Sequence, residues 1–534
     1  MLSPRPAIDY TDKDFRSLRD AMLRLAQDRL PEWTDRSPAD LGMLFVDLFA
    51  YMGDITLYYQ DRIASELFPS TAVERRSIVD LLRLIGYDLS ASSPARADLL
   101  LTFTAPVGPQ TVTVPNGARF SARPANASPV EFVYLGPDLA ITLSSDQVRP
   151  ALDAAGNAVV LYEGLPVEQS VEAGPLIIGS STGEPNQVFA LPGAGVVRES
   201  VLVEVDEGSG WVVWDRSDSL LFDIAPDGRA ILSHPDARHY QLIVDAADVT
   251  NVLFAADRQP PIGTNNIRAS FRRTQGAAGN VAAGTINTLV TPVPALVAVI
   301  NPGDAAGGSD AERSDHAIRY APLAYRSNNR AVTISDYVAL AQSTGAIAKV
   351  RAQSQAWNQI DLYVAPAGPV CTPVPEALRN WLLGYMEDKR MAGTFVRVLD
   401  AHCVPIDISI ELIIEERFAA DSVISRVYDA VAQLLAFDRV DFAEKLFQSD
   451  VYAAAEGVAG VIAVTVKRFR RRDQPATDLE AELARYNLPS LAELPDFLRN
   501  AISSEIAPEG RIEAGEFEIP SIGDLSITTR PSTS

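Results

Sequence analysis

Apolar positions in the first part of the chain recur at the spacing of helices. Within residues 9–86, apolar side chains repeat every three or four positions from Phe15 onward, which predicts a helix that ends before Pro31. The run Ser37-Pro38-Ala39-Asp40 predicts the start of a second helix, because it offers an N-cap, a first-turn proline and a first-turn carboxylate. Residues 78–85 form a third apolar helical segment.

The second predicted helix is apolar around much of its circumference. Its main stripe consists of Leu41, Leu44, Phe45, Leu48, Phe49, Met52, Ile55 and Tyr59. A second stripe beside it consists of Met43, Val46, Ala50, Tyr51, Leu57 and Tyr58. A helix that is apolar over so wide a face must be buried on more than one side.

Two interpretations of that wide face are open from the residues alone. In the first, the neighbouring helical segments at residues 18–26 and 78–85 cover the face completely. In the second, fewer than a hundred residues form a thin shell, and another chain covers part of the face.

From Ala97 the period of the pattern changes to that of strands. Leu99, Leu101 and Phe103 alternate with other residues, and breaks rich in proline and glycine recur up to about residue 289. Helical patterns are scarce in this part of the chain. It is therefore predicted to be one or two β-rich modules with long loops, sandwich-like in architecture.

A flexible link and a capped helix are predicted next. The glycines of residues 301–309 favour a loop, and the run 303–309 is predicted to bend rather than to pack. Thr333 followed by Asp336 resembles a capping box, so a helix should start there and stop near Gly345.

The remainder alternates strands and helices. Alternation from Ile406 to Ile414 has the period of a strand with one buried face. Two small α+β units that divide near Ala401 fit this pattern best. After Asp473 a polar helix is predicted, and residues 528–534 are expected to be disordered.

The predicted fold class is thus multidomain α+β, with an N-terminal helical bundle segment, a β-rich middle and small C-terminal α+β units. The predicted domains are a helical domain, the β-rich middle, a link with a helix and the first α+β unit, the second α+β unit and a tail, at residues 1–95, 96–300, 301–400, 401–472 and 473–534.

The charge of the chain argues against nucleic acid as its main partner. Sixty-nine acidic residues against 46 Lys and Arg give a formal net charge of −23, whereas neutralising phosphates needs concentrated Lys and Arg. The dense basic run at residues 467–472 is compatible with a nucleic-acid patch. The favoured interpretation is the solvated end of a strand, or a contact for an acidic neighbouring subunit.

Cysteine usage and hydropathy bear on the compartment. Cys371 and Cys403 are the only cysteines and are distant in sequence, so no disulfide framework is expected, and assembly in a reducing cytoplasm is the simplest inference. The first residues lack the apolar segment of a signal peptide, and no run is expected to span a membrane. A protein of this kind that ends outside the cell would leave within a larger particle.

Searches for chemistry yield no candidate catalytic, cofactor-binding or metal-binding residue. The run Gly179-Ser180-Ser181-Thr182-Gly183 matches a nucleophile-elbow pattern, but no helix pattern follows it, so a serine-glycine loop is expected. His234 and His239 lack zinc-site spacing, and His402 and Cys403 should point to opposite faces of a strand. We therefore predict that the protein is not an enzyme and needs no cofactor.

Ordered motifs over most of the chain resemble the baseplate J-like family, the wedge proteins of contractile phage tails and related injection machines. In the first part they are Asp9-Tyr10, Lys13-Asp14-Phe15, Pro31-Glu32-Trp33-Thr34-Asp35, Leu48-Phe49-Ala50-Tyr51-Met52-Gly53 and Leu81-Leu82-Arg83-Leu84-Ile85-Gly86. In the middle they are Gln187-Val188-Phe189, Trp211, Pro260-Pro261-Ile262-Gly263, Phe271-Arg272 and the run from Gly279 to Ile286. Further on they are Asn301-Pro302, Ala306-Gly307-Gly308, Glu312, Pro322, Arg330-Ala331-Val332-Thr333 and Asp336-Tyr337. Phe254-Ala255-Ala256-Asp257 departs from the family, which usually has a glycine-containing turn there.

The resemblance implies a structural role and a set of partners. It implies a wedge built with a second J-like chain or copy, a ring of wedges around a central spike hub, and a joint to a sheath-initiating component. It also implies that the N-terminal segment enters an intermolecular helical bundle. That implication favours the second interpretation of the wide face, with Leu41, Leu44, Phe45, Leu48, Phe49, Met52 and Tyr59 as interface residues.

The alternative hypothesis is a glycan-binding or glycan-cleaving surface protein. β-rich modules with exposed aromatic residues such as Trp211 and Trp214 would suit sugars. The lack of an export signal weighs against it.

Overall fold

Helices, two large sheets and two smaller mixed units follow one another along the chain, which confirms the multidomain α+β class. The computed structural model describes residues 13–123, 128–217, 219–224, 230–234, 237–245, 247, 249–255, 259–327, 330–473, 506–507 and 510–530 of the 534. The motif at Asp9-Tyr10, the turn at Ala256-Asp257 and the predicted polar helix after Asp473 lie outside these residues. The domain boundaries stay predictions.

Three helices open the described chain: α1 (Phe15–Arg29), α2 (Leu41–Ser65) and α3 (Arg75–Leu84). The predicted start of α2 at Ser37 is wrong by three residues, because Asp40 is the N-cap and accepts from the backbone N–H of Met43 at 3.1 Å. The indole N–H of Trp33 also donates to Asp40, at 2.9 Å, and fixes its carboxylate. This second contact depends on how the preceding loop folds, which the local pattern does not show.

A further helix, α4 (Ser314–Ser327), was not predicted from the sequence. Pro322 lies inside this helix. Ala317 and Ala321 are fully buried in one cluster with apolar residues of α3. α4 therefore covers α3, which the sequence assigned as a cover for α2.

The β-rich middle contains two seven-stranded sheets. Its strands are β1 (Arg96–Thr104), β2 (Thr111–Val114), β3 (Arg119–Ala122), β4 (Val130–Val133), β5 (Leu139–Thr142), β6 (Arg149–Leu152), β7 (Ala158–Glu168), β8 (Val171–Gly179), β9 (Val188–Ala190), β10 (Leu202–Asp206), β11 (Trp211–Arg216), β12 (Phe222–Ile224), β13 (Ala230–Leu232), β14 (His239–Val244), β15 (Thr250–Phe254), β16 (Ile267–Arg273), β17 (Ile286–Leu289) and β18 (Leu296–Ile300). The first sheet has the order β17-β3-β4-β7-β1-β18, with β6 beside β7. Leu99, Leu101 and Phe103 on β1 are fully buried, which confirms the predicted alternation.

The second sheet has the order β8-β16-β10-β11-β14-β15-β9. Its core includes Trp214, which is only 4% exposed. Trp211 is half-buried, and the guanidinium of Arg268 lies over its ring at 4.2 Å. The aromatic residues on which the glycan hypothesis depended are therefore not a free sugar-binding surface.

Two α+β units follow, as predicted. Their elements are α5 (Ile334–Gln342), β19 (Ile347–Ala356), β20 (Gln359–Pro366), α6 (Glu376–Glu387), β21 (Phe395–Asp400), β22 (His402–Ile414), α7 (Ala420–Ala432), β23 (Lys445–Phe447), α8 (Gln448–Glu456), β24 (Val461–Arg471), β25 (Arg511–Glu513) and β26 (Glu518–Arg530). The first sheet is ordered β19-β20-β21 and the second β24-β22-β26. Because β26 runs to Arg530, the predicted disorder from Thr528 is wrong for the first three residues.

The segment 301–309 is irregular, as predicted, but it packs tightly. Asn301 is fully buried, and the backbone pairs Ala306 with Arg96 on β1. The side-chain amide of Asn280 donates to the Gly308 carbonyl at 2.7 Å and accepts from the Gly308 N–H at 2.8 Å. The prediction of a bending link is therefore wrong, because hydrogen bonds to β1 and to Asn280 hold this segment in place.

Candidate functional site: the outer face of helix α2

Helix α2 rests on α1 along one side. Met43 and Ala50, from its second predicted stripe, are buried, and Val46 is half-buried. The guanidinium of Arg19 on α1 donates to the Asp47 carboxylate at 2.6 Å. α1 therefore covers the part of the second stripe that contains Met43, Val46 and Ala50, and leaves the main stripe uncovered.

The opposite side, here called the α2 outer face, is exposed along its whole length. The exposed fractions of the predicted interface residues lie between 49% and 64%, for Leu41, Leu44, Phe45, Leu48, Phe49, Met52 and Tyr59. Tyr51, Ile55, Tyr58 and Ile63 extend the same surface. Within the described residues the interpretation that neighbouring helices cover this face completely is wrong. Contiguous apolar surface of this kind is typical of a protein or membrane contact.

A seven-residue repeat runs along α2, which the sequence reasoning above missed. The segments Leu41–Asp47, Leu48–Asp54 and Ile55–Asp61 each begin with an aliphatic residue and end with aspartate. Leu44, Tyr51 and Tyr58 occupy the fourth position of each segment. A strict period of seven with apolar first and fourth positions is typical of helices that pack into coiled coils.

The apolar surface continues beyond the end of α2. A cavity of ≈ 570 Å³ lies between the last turn of α2 and helix α3. Ile63, Leu67, Leu81 and Leu84 contribute its apolar lining. Arg62 on its rim donates to Glu74 at 2.9 Å, so the two helices are tied at this end.

By length and composition α2 could also cross a membrane. It has 25 residues, which corrects the expectation that no run approaches the length of a span. Asp47 and Asp54 weaken that alternative, because a charged residue at the centre of a bilayer costs about 2.5–3.5 kcal/mol. One such helix is weak support for a membrane span, since helices that pack against protein satisfy the same criteria.

The other motifs have structural roles. Ser181 is buried, and its hydroxyl donates to the Pro260 carbonyl at 2.7 Å, as expected of a loop serine rather than a nucleophile. Glu312 accepts from the Tyr87 hydroxyl at 2.8 Å and lies 2.6 Å from Nδ1 of His316. Burial, and then the Glu312 carboxylate, raise the pKa of Tyr87.

Within the part of the chain that the structure describes, no group of three or more His, Cys, Asp or Glu side chains could hold a metal ion.

The basic run at residues 467–472 is paired within the chain. Arg471 donates to Glu518 at 2.7 Å, and Arg472 donates to Asp407 at 2.7 Å. Asp407 lies on β22, which pairs with β24, and Glu518 lies on β26, which pairs with the other edge of β22. The run therefore owes much of its charge balance to strands distant in sequence, and it is not a free anion-binding patch.

Cys371 and Cys403 are joined by a disulfide, with their Cα atoms 6.0 Å apart. The expectation that no disulfide supports the fold is therefore wrong. Cys403 lies in β22, as predicted, and Cys371 lies between β20 and α6. The two cysteines are 32 residues apart in sequence, and that spacing alone did not predict that they would pair.

Comparisons with known proteins find two segments that are similar to parts of baseplate proteins. Residues 14–84 match the model of the bacteriophage baseplate protein N-terminal domain, and residues 244–308 match the baseplate J-like protein barrel domain. The first match contains the whole of α2.

A phage relative is similar to the chain over a longer stretch. The chain is 25% identical over 304 residues to the baseplate wedge protein gp6 of Enterobacteria phage T4. That alignment covers 54% of this chain and 44% of the phage protein, so it spans less than half the length of that relative.

Two solved baseplate assemblies also align with the chain. The anti-feeding prophage baseplate aligns over 97% of this chain and 96% of its own, at 11% identity and a TM-score of 0.32. A type VI secretion system TssK-TssF-TssG baseplate subcomplex aligns over 68% of this chain and 96% of its own, at 11% identity and a TM-score of 0.31.

Proposed function

We propose that this chain is a wedge subunit in the baseplate of a contractile injection system, with the α2 outer face as its contact with partner helices. The observation that carries the proposal is the exposed apolar stripe from Leu41 to Tyr59 within the segment that matches the baseplate N-terminal domain. Uncovered apolar area of this extent is stabilised when another protein removes it from water.

The partners follow from the family. A second J-like wedge chain or a second copy supplies helices to the bundle, and the wedges close into a ring around the central spike hub. A sheath-initiating component joins the ring. The chain assembles in the cytoplasm and becomes part of the particle, and it holds no cofactor and performs no catalysis.

The mechanical role is to transmit the contraction trigger by rearranging contacts between subunits. Packed cores switch between discrete arrangements and do not stretch, so the moving parts of such a ring are its interfaces. Since the segment 301–309 is packed, the β-rich middle and the first α+β unit move together at that junction.

A charge placed on the α2 outer face tests the proposal. Phe45→Asp or Phe49→Asp would bury an unpaired carboxylate at the contact, at a cost of about 2–5 kcal/mol of assembly free energy. Particle formation should be lost. Electron microscopy of lysates from cells that carry the variant gene measures it. The isolated variants should keep the helical content and the unfolding midpoint of the wild type, because both side chains are exposed.

The matched control is Val107→Asp, which adds the same charge at a fully exposed position in the loop between β1 and β2. It should assemble normally. Normal particles from Phe45→Asp and Phe49→Asp would show that the face is not a bundle contact. Flotation of the wild-type chain with phospholipid vesicles, abolished by Phe49→Asp, would instead assign the face to a membrane.

A further inference from the structure

The two C-terminal α+β units are joined by a short covalent connection. β21 ends at Asp400 and β22 begins at His402, so Ala401 alone separates them. The Ala401 N–H donates to the Val364 carbonyl at 2.9 Å. A connection of one residue leaves the relative orientation of the units to the contacts between their surfaces.

Those contacts involve small side chains, a partly buried cation, a stacked ring pair and a hydrogen bond. Ala348 and Ala365 of the first unit pack against the core of the second. Lys349, the strand partner of Ala365, lies 5.3 Å from the ring of Phe437. Tyr363 stacks on Phe517 with ring centroids 3.9 Å apart, and Arg351 donates to the Glu516 carbonyl at 2.9 Å. Burial lowers the pKa of Lys349, and nearby carboxylates, Asp441 first, oppose this. A contact that desolvates a cation contributes less than an apolar one of equal area.

Cys371 and Cys403 lie across the boundary between the units. Cys371 packs against the core of the second unit, while Cys403 belongs to that unit's central strand. Both are half-buried, so small thiols and disulfides reach them. They are the only cysteines of the chain, so no third thiol competes for either partner.

We propose that Cys371 and Cys403 form a redox latch between the two α+β units. In the reducing cytoplasm where the particle assembles, both are thiols and the units reorient about Ala401. In an oxidising environment outside the cell, the disulfide fixes the orientation seen in the structure. The two compartments rest on the proposed function, whereas the latch itself is a property of the isolated chain.

The oxidant is a small disulfide such as glutathione disulfide. The thiolate of one cysteine attacks a sulfur of glutathione disulfide, forming a mixed disulfide and releasing one glutathione thiolate. The thiolate of the other cysteine then attacks the protein sulfur of the mixed disulfide and releases the second glutathione. The protein thus loses two electrons and two protons, and both glutathiones leave as thiols.

The state of the latch can be read by mass. The purified full-length chain is equilibrated in glutathione buffers, mainly reduced or mainly oxidised, and is then quenched by alkylation under denaturing conditions. Intact mass should show two alkyl groups in the reduced buffer. In the oxidised buffer it should show none, with the chain lighter by two hydrogen atoms.

Hydrogen exchange then reports what the latch does. Amides at residues 399–404 should exchange about tenfold more slowly in the oxidised chain, because the disulfide suppresses opening at the joint. The matched control is the double variant Cys371→Ser/Cys403→Ser, which has no thiol to form a mixed disulfide, and its exchange should be the same in both buffers and equal to that of the reduced wild type. The wild-type comparison needs no variant to fold.

Three outcomes would overturn the latch: two alkylated thiols in the oxidised buffer, an intact disulfide in the reduced buffer, or equal exchange in both states. None of them depends on particle assembly. Conversely, normal particles from Phe45→Asp would contradict the proposed wedge contact and would not bear on the latch.

Discussion

At the scale of single residues, one buried carboxylate ties three parts of the chain together. Glu168 at the end of β7 accepts from Arg96 on β1 at 2.9 Å and also from Arg272 on β16. Arg96 in turn lies over the ring of Trp381 on α6, at 4.2 Å. Burial lowers the pKa of Arg96, and Glu168 opposes this. The two large sheets and the first α+β unit therefore meet at a single ion-pair cluster.

Glu168→Ala should destabilise the isolated chain by about 3–5 kcal/mol, because it leaves the buried guanidinium of Arg96 and the half-buried guanidinium of Arg272 without their anion. Denaturant unfolding measured by circular dichroism checks this. The control is Glu163→Ala on the same strand, whose partner Arg149 is also exposed, and it should change stability by less than about 1 kcal/mol. Equal losses from the two substitutions would show that the cluster does not hold the joint.

At the scale of elements, some helices begin where local capping places them, and others depend on tertiary contacts to orient the cap. α5 begins at the predicted capping box, in which the Thr333 N–H donates to Asp336 at 2.7 Å and the Asp336 N–H donates to the Thr333 hydroxyl at 3.3 Å. These two residues lie within one turn and contain all the atoms needed. α2, by contrast, depends on Trp33 to orient its cap.

Thr333→Ala should destabilise the start of α5 by about 1 kcal/mol, because the first-turn N–H groups lose an acceptor. Hydrogen exchange of the α5 amides measures the effect directly. Thr333→Ser keeps the hydroxyl and should exchange like the wild type. Faster exchange in the serine variant as well would point to the lost methyl group rather than the lost cap.

At the scale of the whole molecule, the segment 301–309 is a joint between modules. It pairs with β1, with the loop around Asn280 and, through the Gly307 N–H, with the carbonyl of Ala367 in the first α+β unit. A Cβ at Gly308 would lie 2.4 Å from the Gly276 carbonyl oxygen. Glycine is required at that position by the close approach of two backbones.

Gly308→Ala should therefore destabilise the chain by about 1–3 kcal/mol, the range for overpacking a tight site. Gly303→Ala, in the same segment, meets nothing within 4 Å and should be nearly neutral. Thermal unfolding of both variants distinguishes a joint from a link. If the segment were a bending link, the two substitutions would have equally small effects.

Much of the fold was predictable from the sequence, because the information was local. Strands such as β1 and β22 follow from alternation, and α5 from its capping box. The apolar face of α2 was predictable in the same way, whereas the residues alone left open what covers it, and the family resemblance favoured another chain. α4 was missed, and it contains Pro322, a residue that disfavours a helix interior.

The sequence by itself determined which segments are helices and strands and which helix face is apolar, because these depend on residues within a few turns of one another. Only the tertiary structure decided which of these segments contact one another. It placed Glu518 and Asp407 beside the basic run, packed the glycines of 301–309, joined Cys371 to Cys403 and left the α2 outer face uncovered. Such contacts join residues tens to hundreds of positions apart, and no local period specifies a partner at that distance.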